Sequence, residues 1–566
     1  MIRWLPWRLS RTSDWAVGAA PEPELPDVPL PLSAHAETAV ATLTANTAIP
    51  PLRLILSSMR AAECTIAPVR RCLVVLLVLA AFPCTAAAAP VLVLGPHGRV
   101  HQRNDRFLSA VPTTPVPATA PGRGATDRAR TAIARQRVTR PRPKPKSKPK
   151  KPAVTVKSVL SALRHRGSIS AAQYSQTLNA FNGAVAAEKH LTGTRQSELE
   201  AVTESVHQMA ATKQLTAPRL AAVIATLNAN KTWWTTGSVP APDERIEFSG
   251  SQLVWQYYPG QGLQLQVLGT FGKANGMYTA GPSEYPAMEQ LLSQMIPLAS
   301  RRGGGTTWEY YFTFDGGKPP WTSAMSQATG LEALSRAYLA TKNPYYLQVA
   351  ASAMAVFGKP PPVGVTVPTT FGLRFLQYTF APSLLIINAD LQTLIGLDTY
   401  AQVSGNTAAQ TLFAQGNAEA MAVLPSFNTG AWSLYSPGLE DDLSYHELVT
   451  GFLQQLCTLT KAPVYCTTAQ QFTADLTTPP VLADLTPTAE PRKTFALSFR
   501  LSKVSHVGIV VTRGTSTVFS TSASFGYGIR TFAVPALKAG SYGVRLAATD
   551  LAGNFSRITG TLTVGG

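Results

Sequence analysis

W-E-Y-Y-F-T-F-D-G-G-K-P-P-W-T-S-A-M-S-Q-A-T-G-L-E-A-L-S-R-A-Y, residues 308–338, carries an aromatic-rich loop directly into an amphipathic helix. Trp308, Tyr310, Tyr311 and Trp321 have flat apolar faces with polar edges. Such side chains serve either as packing or as a platform for a ring-shaped ligand. Lys318 and Gln327 have the donors to hold the carboxylate or hydroxyls of a sugar acid. Outward from this stretch, apolar residues recur at three- and four-residue spacing in segments near 284–301, 323–340, 344–357, 383–404, 406–424 and 444–460, joined by Gly, Pro and Asn. Successive amphipathic helices of this length predict a mainly α domain, an α/α toroid or incomplete barrel over residues 301–478, with its loops gathered into a cleft.

Before this domain, V-L-S-A-L, L-N-A-F-N-G-A-V and L-A-A-V-I-A-T-L give helical periodicity over 154–232, predicting a helical hairpin or bundle. A lead-in segment, 233–300, mixes extended and helical patterns, with short strands expected between Arg245 and Thr279 and a break at Pro259-Gly260. After 478 the period changes to two: F-A-L-S-F-R-L, H-V-G-I-V-V-T-R, T-F-A-V-P-A-L and Y-G-V-R-L-A-A-T-D alternate between Gly, Ser and Asn turns. Residues 479–566 therefore read as an all-β immunoglobulin-like sandwich, a spacer or adhesion module rather than a catalyst. The chain is multidomain, as its 566 residues imply.

The formal charge of +18 is local, because residues 123–166 hold fifteen Lys and Arg against one acid, Asp127. Within it, R-P-R-P-K-P-K-S-K-P-K-K-P alternates proline with base, so 90–153 reads as a stiff tether that cannot collapse into a core. Such a tether attracts polyanions at a surface, and the concentration of charge outside the folded regions argues against a specific nucleic-acid site. Arg70 and Arg71, the apolar run 72–82 and the small residues 85–89 read as an export signal over 59–89, cleaved near Ala87–Ala89. The stretch 1–58 then reads as a non-native or disordered extension, and the mature protein as secreted or cell-surface, anchored if the signal is retained. Cys457 and Cys466, the two cysteines beyond the signal, flank the turn K-A-P and suit one local disulfide. No metal-ligand spacing accompanies them, and no cofactor is expected.

Residues from about 305 to 478 resemble the C-terminal domain of the D-glucuronyl C5-epimerases. The likeness lies in P-P-W-T-S-A-M-S-Q-A-T-G-L-E-A-L-S-R-A-Y-L-A-T-K-N-P-Y-Y-L, in Q-Y-T-F-A-P-S-L-L-I-I-N-A-D-L-Q-T-L-I-G-L, and in W-S-L-Y-S-P-G with L-S-Y-H-E-L-V-T-G-F-L-Q-Q-L; upstream, W-Q-Y-Y-P-G-Q-G-L-Q-L-Q is similar too. The resemblance implies catalytic roles for Tyr378, Tyr435 and Tyr445, with His446 beside the last, and cleft positions for Gln327 and Asn388. Trp321, Lys318, Arg374, Tyr257 and Gln261 complete the candidate substrate-binding set. It further implies a uronate-containing polysaccharide as substrate and a homodimer. This chain departs from the family where Gln377 replaces the acid before the first tyrosine, and where Glu440, Asp441 and Asp442 occupy a short loop at which the resemblance implies basic, substrate-binding character.

C5 epimerisation removes the proton α to a carboxylate and returns one to the opposite ring face, so two groups must flank the ring. Tyr378 and Tyr445 are assigned as that pair, with Tyr435 and His446 shaping their protonation and Lys318, Arg374 and Asn388 holding the carboxylate. The alternatives are a uronate polysaccharide lyase, in which abstraction is followed by loss of the 4-linked group, and a non-catalytic cell-surface carbohydrate-binding protein. A hydrolase using Glu332 or the Asp441-Asp442 pair is weaker, since adjacent acids in a loop usually form a solvated turn.

Overall fold

The computed structural model describes residues 89–108, 116–117, 154–483, 485, 488–489 and 493–565. The export signal, apart from Ala89, and the proline-rich basic run lie outside them. Four helix pairs follow one another: Val267–Ala280 with Tyr285–Met295, Ala324–Thr341 with Pro344–Ala353, Ile387–Ser404 with Thr407–Val423, and Leu443–Thr460 with Pro463–Asp475. The first member of each pair packs beside the first member of the next. These inner helices are buried nearly all round in the middle two pairs, which is why Ala324–Thr341 and Ile387–Ser404 show almost no amphipathic asymmetry. Their crossing is at backbone contact: a Cβ on Gly396 would lie 2.2 Å from the carbonyl oxygen of Ala328.

Three of the pairs turn in the same way. Lys342, Gly405 and Lys461 end their helices in the left-handed conformation, followed by Asn343-Pro344, Asn406-Thr407 and Ala462-Pro463, which open the next helix. Cys457 and Cys466 form a disulfide across the last of these turns, with Cα atoms 4.8 Å apart. Val267–Ala280 falls where the sequence suggested extended chain. Its Gly269, Gly272 and Gly276 weaken the helical signal, but Phe271, Ala274 and Met277 bury one face.

The tether expected from residue 90 is folded at its start. Ala89–Leu94 and Val100–Asp105 form a hairpin, and Ala89–Leu94 runs parallel to Arg245–Phe248 in a five-stranded sheet completed by Trp255–Tyr258 and Gly262–Leu265. The reason is a buried ion cluster that the linear sequence scatters. Lys273 Nζ lies 2.7 Å from Glu247 and 3.1 Å from Asp105, and Arg103 reaches both acids. The backbone of Val116–Pro117 also pairs with Leu439–Glu440. Helices Val156–His165, Ala171–Glu188, Gly193–Ala211 and Leu220–Thr236 share one continuous apolar core with the sheet and the helix pairs.

The C-terminal strand-rich region has its own core beneath two sheets, one of three strands and one of five. It is fastened to the helical part by buried polar contacts. Val504 and Tyr527 N–H groups donate to Glu440 (2.8 and 2.6 Å), and Lys503 pairs with Asp550 (2.6 Å) while donating to the carbonyl of Asp475 and lying over Trp432. Among the described residues no helix is long and apolar enough to cross a membrane.

Removing Lys273 leaves two carboxylates buried without their ammonium partner. Lys273→Ala is expected to lower unfolding free energy by about 3–5 kcal/mol, measured by denaturant titration; a loss below about 1 kcal/mol, the scale of an exposed ion pair, would contradict a structural role for the cluster.

Candidate active site

The loops preceding the inner helices and the first turns of those helices converge on one aromatic and hydroxyl-rich cluster. Glu309 anchors the loop 308–322. Its carboxylate takes Arg219 (2.7 and 3.0 Å), Arg302 (2.6 Å) and Ser300 (2.6 Å). Burial works to raise this carboxyl, but Arg219 and then Ser300 and Arg302 outweigh it and hold it below the ordinary range. Gln327 fixes the other side of the loop: its amide donates to the Trp308 carbonyl (2.7 Å) and to Thr322 (3.0 Å) and accepts from Trp308 N–H. Its hydrogen-bonding capacity is thus spent on the loop rather than on a cleft.

Trp321, 4% exposed, stacks on Tyr310 with ring centroids 4.2 Å apart and meets Tyr378 and Phe380 edge-on at 5.7 and 5.4 Å. The Tyr310 hydroxyl bonds Ser326 (2.7 Å), in the first turn of Ala324–Thr341, and Gln266 (3.4 Å), the N-cap of Val267–Ala280. Burial pushes this phenol up to about 12.

Tyr378, Tyr435 and Tyr445 meet at the same place. The three phenols come from three separate segments and lie close enough to act on one another electrostatically. The rings of Tyr435 and Tyr445 lie 4.8 Å apart. Asp442 delivers Tyr445 by capping the helix Leu443–Thr460, accepting from the Tyr445 N–H at 2.8 Å. Burial first, and neighbouring phenols second, raise all three above the ordinary tyrosine value. Gln377 works in the opposite direction, favouring the Tyr378 phenolate.

His446 is apart from this chain. Its ring stacks on Trp432 (3.7 Å), Nδ1 lies 2.8 Å from Ser433 Oγ and Nε2 bonds the Phe472 carbonyl (2.9 Å). Burial depresses it to about 4. Ser433 continues to Asp441 at 2.5 Å. Asp441 and Asp442, expected as a solvated turn, are buried together with Glu440, because Ser433, the helix start and the strand-region N–H groups each take one of the three. Glu332 is likewise tied, to Arg336 (2.8 Å), Gln392 (2.9 Å) and Asn275 (3.2 Å).

Of the other expected binding residues, Asn388 is 1% exposed and neither of its amide atoms has a hydrogen-bond partner. Arg374, half-buried, donates from Nη2 to the Pro382 carbonyl and leaves Nε unbonded. Lys318 is exposed on the loop. Tyr257 points away, donating to Glu198 (2.8 Å) in the helical bundle, and Gln261 accepts from Thr313 N–H (3.0 Å). Tyr258, which sequence reasoning passed over, faces the cluster: it lies 4.6 Å from Phe312 and its hydroxyl meets Gln266 at 3.0 Å. Strand alternation carried that signal, since one of two adjacent tyrosines must face each way.

Asp441 gives the site a pH signature. Burial, with the charges of Asp442 and Glu440, pushes its carboxyl from 3.8 up to about 7. A carboxyl raised on folding contributes stability that is complete below its unfolded value and is lost as pH rises through the folded one. His446, depressed to about 4, acts oppositely on the acid side. Asp441→Asn should therefore narrow the fall in Tm between pH 5 and pH 8 while leaving the acid limb; an unchanged fall would remove Asp441 as its source.

A family model described as D-glucuronyl C5-epimerase C-terminus matches residues 303–474. The D-glucuronyl C5-epimerase of Caenorhabditis elegans is 28% identical over 130 residues, which are 21% of this chain and 21% of that protein. The chain thus matches about a fifth of the length of this relative. Among solved structures, the cellobiose 2-epimerase of Spirochaeta thermophila is 13% identical, with a TM-score of 0.29 over 44% of this chain and 67% of its own. That of Bacillus thermoamylovorans is 12% identical, with a TM-score of 0.30 over 50% and 74%. Superpositions this loose set no residue correspondence. Residues 303–474, which carry Trp321, Tyr378, Tyr435 and Tyr445, are thus similar in sequence to the C-terminal domain of the D-glucuronyl C5-epimerases.

Proposed function

We propose that this protein is a uronate C5-epimerase acting on an extracellular acidic polysaccharide, its helix pairs forming an incomplete α/α barrel with the catalytic cleft at the N-terminal ends of the inner helices. The observation that carries this reading is the meeting of Tyr378, Tyr435 and Tyr445, from three separate segments, in one cluster of phenols. Tyr378, as phenolate, takes the C5 proton; Tyr445 gives its proton to the opposite face of the resulting enolate. The reaction leaves Tyr378 protonated and Tyr445 deprotonated, and two hydroxyl-to-hydroxyl transfers through Tyr435 restore the starting state. Asn388, buried with its amide atoms unpaired, and Arg374 supply donors for the uronate carboxylate, whose negative charge grows as the enolate forms. Trp321 and Tyr310 form the wall against which the sugar ring packs.

Tyr378→Phe and Tyr445→Phe should each abolish deuterium incorporation at C5 of a glucuronate polymer in deuterated water, read by NMR, without unfolding the protein. Normal exchange in both would overturn the assignment, and an unsaturated-uronate absorbance would turn it into a lyase.

The raised phenols predict a pH profile. With all three hydroxyls protonated at neutral pH, kcat/KM should climb about tenfold per pH unit above neutrality until the base titrates. Gln377→Glu replaces the side chain that favours the Tyr378 phenolate with a negative charge, so this limb should move to higher pH; a shift to lower pH would refute the role given to Gln377.

A further inference from the structure

The five-stranded sheet of the C-terminal region turns one face to its core and one to solvent. Its outward residues are fixed by register. Ser524, His506, Thr549 and Phe555 form one row across four strands; Ser522, Gly508, Ala547 and Arg557 form the next; Ser520, Val510, Arg545 and Thr559 form the third. Five of these twelve residues carry hydroxyl groups, and none carries a carboxylate. Over residues 493–565 there are eight Lys and Arg against one acid, Asp550, and that acid is already paired with Lys503. Arg545 and Arg557 sit on diagonally adjacent positions, exposed and without an ion-pair partner among the described residues. Phe555, 57% exposed, offers an aromatic face beside them.

The middle of this face is a shallow groove of about 320 Å³ lined by Gly508, Val510, Ser520, Ser522, Arg545 and Ala547. Gly508 is its floor, and packing does not demand a glycine there. Its φ is not positive, and a Cβ would come no nearer than 4.0 Å to any neighbour. Glycine in a strand interior is destabilising, so one that neither turns the chain nor relieves a clash is explained by what its missing side chain leaves open. The lack of a side chain lets a flat ring settle onto the strand backbone between hydroxyl flanks, with guanidiniums at one side to fork onto carboxylates.

We propose that this outward face is a second binding surface, separate from the tyrosine cluster, for an acidic polysaccharide. A sugar ring lies over Gly508, and uronate carboxylates are held by Arg545 and Arg557. Uncharged glycans lack the anions that the arginines select. The surface is argued from its own residues; the choice of a uronate polymer as the occupant rests on the function proposed above.

The test uses the full chain and the arginines themselves. Modification of Arg545 and Arg557 by phenylglyoxal, followed by peptide mass spectrometry, should slow about tenfold in the presence of polyglucuronate, on the scale of one good guanidinium–carboxylate contact. A neutral glucan should give no protection. Gly508→Val fills the groove with a residue that strands favour, so it should abolish protection while Tm holds or rises; if that variant does not fold, Ser522→Tyr from the neighbouring strand serves the same purpose. Unprotected arginines, protection that survives the filled groove, or equal protection by a DNA duplex would each overturn the proposal. Protection does not depend on turnover, so Tyr378→Phe must retain it. Failure of the epimerase reading, seen as absent C5 exchange, is thereby distinguishable from failure of this surface.

Discussion

Glu309 holds two guanidiniums from distant parts of the chain, Arg219 from the helical bundle and Arg302 from the hairpin Ser300–Arg302 and Gly305–Thr307. One carboxylate thereby fixes where the loop 308–322 leaves the core, and with it the positions of Tyr310 and Trp321. A buried acid with a single partner is a weak device, because desolvation consumes much of the attraction. Two arginines and a serine hydroxyl saturate its oxygens and change the balance. The rest of the cluster leans on that wall: Tyr378 and Phe380 pack against Trp321, and Tyr435 and Tyr445 pack ring to ring nearby. The family likeness begins near residue 303, yet this anchor includes Arg219, well upstream of it.

The site contains many phenols and few charges. Carboxylates that a sequence reading could enlist as acids or bases are engaged elsewhere: Glu332 with Arg336 and Gln392, Asp441 with Ser433, Glu440 with the strand region, Asp442 with its helix. What remains facing the cluster are phenols of similar chemistry. Groups so alike favour no single proton position strongly, which suits a reaction in which a proton must be lost on one side and gained on the other.

Much of this was legible in the sequence, for local reasons. The helix pairs announce themselves through periodicity, and the turns Lys-Asn-Pro and Lys-Ala-Pro punctuate them. The change to alternation after residue 478 marks the strands. The three tyrosines could be named through family resemblance, and only the fold could bring them together. Burial was misjudged where partners come from far along the chain. Glu440 and Asp441 look like a solvated turn until Val504, Tyr527 and Ser433 surround them. The hairpin 89–105 looks like the beginning of a tether until Lys273 gathers Asp105 and Glu247. Helix Val267–Ala280 was hidden by its glycines, and Tyr258 by its neighbour Tyr257. Charge pairing across more than a hundred residues leaves no periodic trace.

The attachment of the strand region limits what can be exchanged. Glu440 receives backbone N–H groups, which any sequence can supply, but at positions dictated by one pair of loops, those at Val504 and Tyr527. Lys503, by contrast, is a side chain that must reach Asp550, the end of Pro463–Asp475 and the ring of Trp432 at once. A homologous β module grafted at residue 479 would keep its own core yet leave Glu440 desolvated and alone, one strand from Tyr435. Unlike an appendage on a flexible linker, this region is not portable, and its sequence has to change in step with that of the helices.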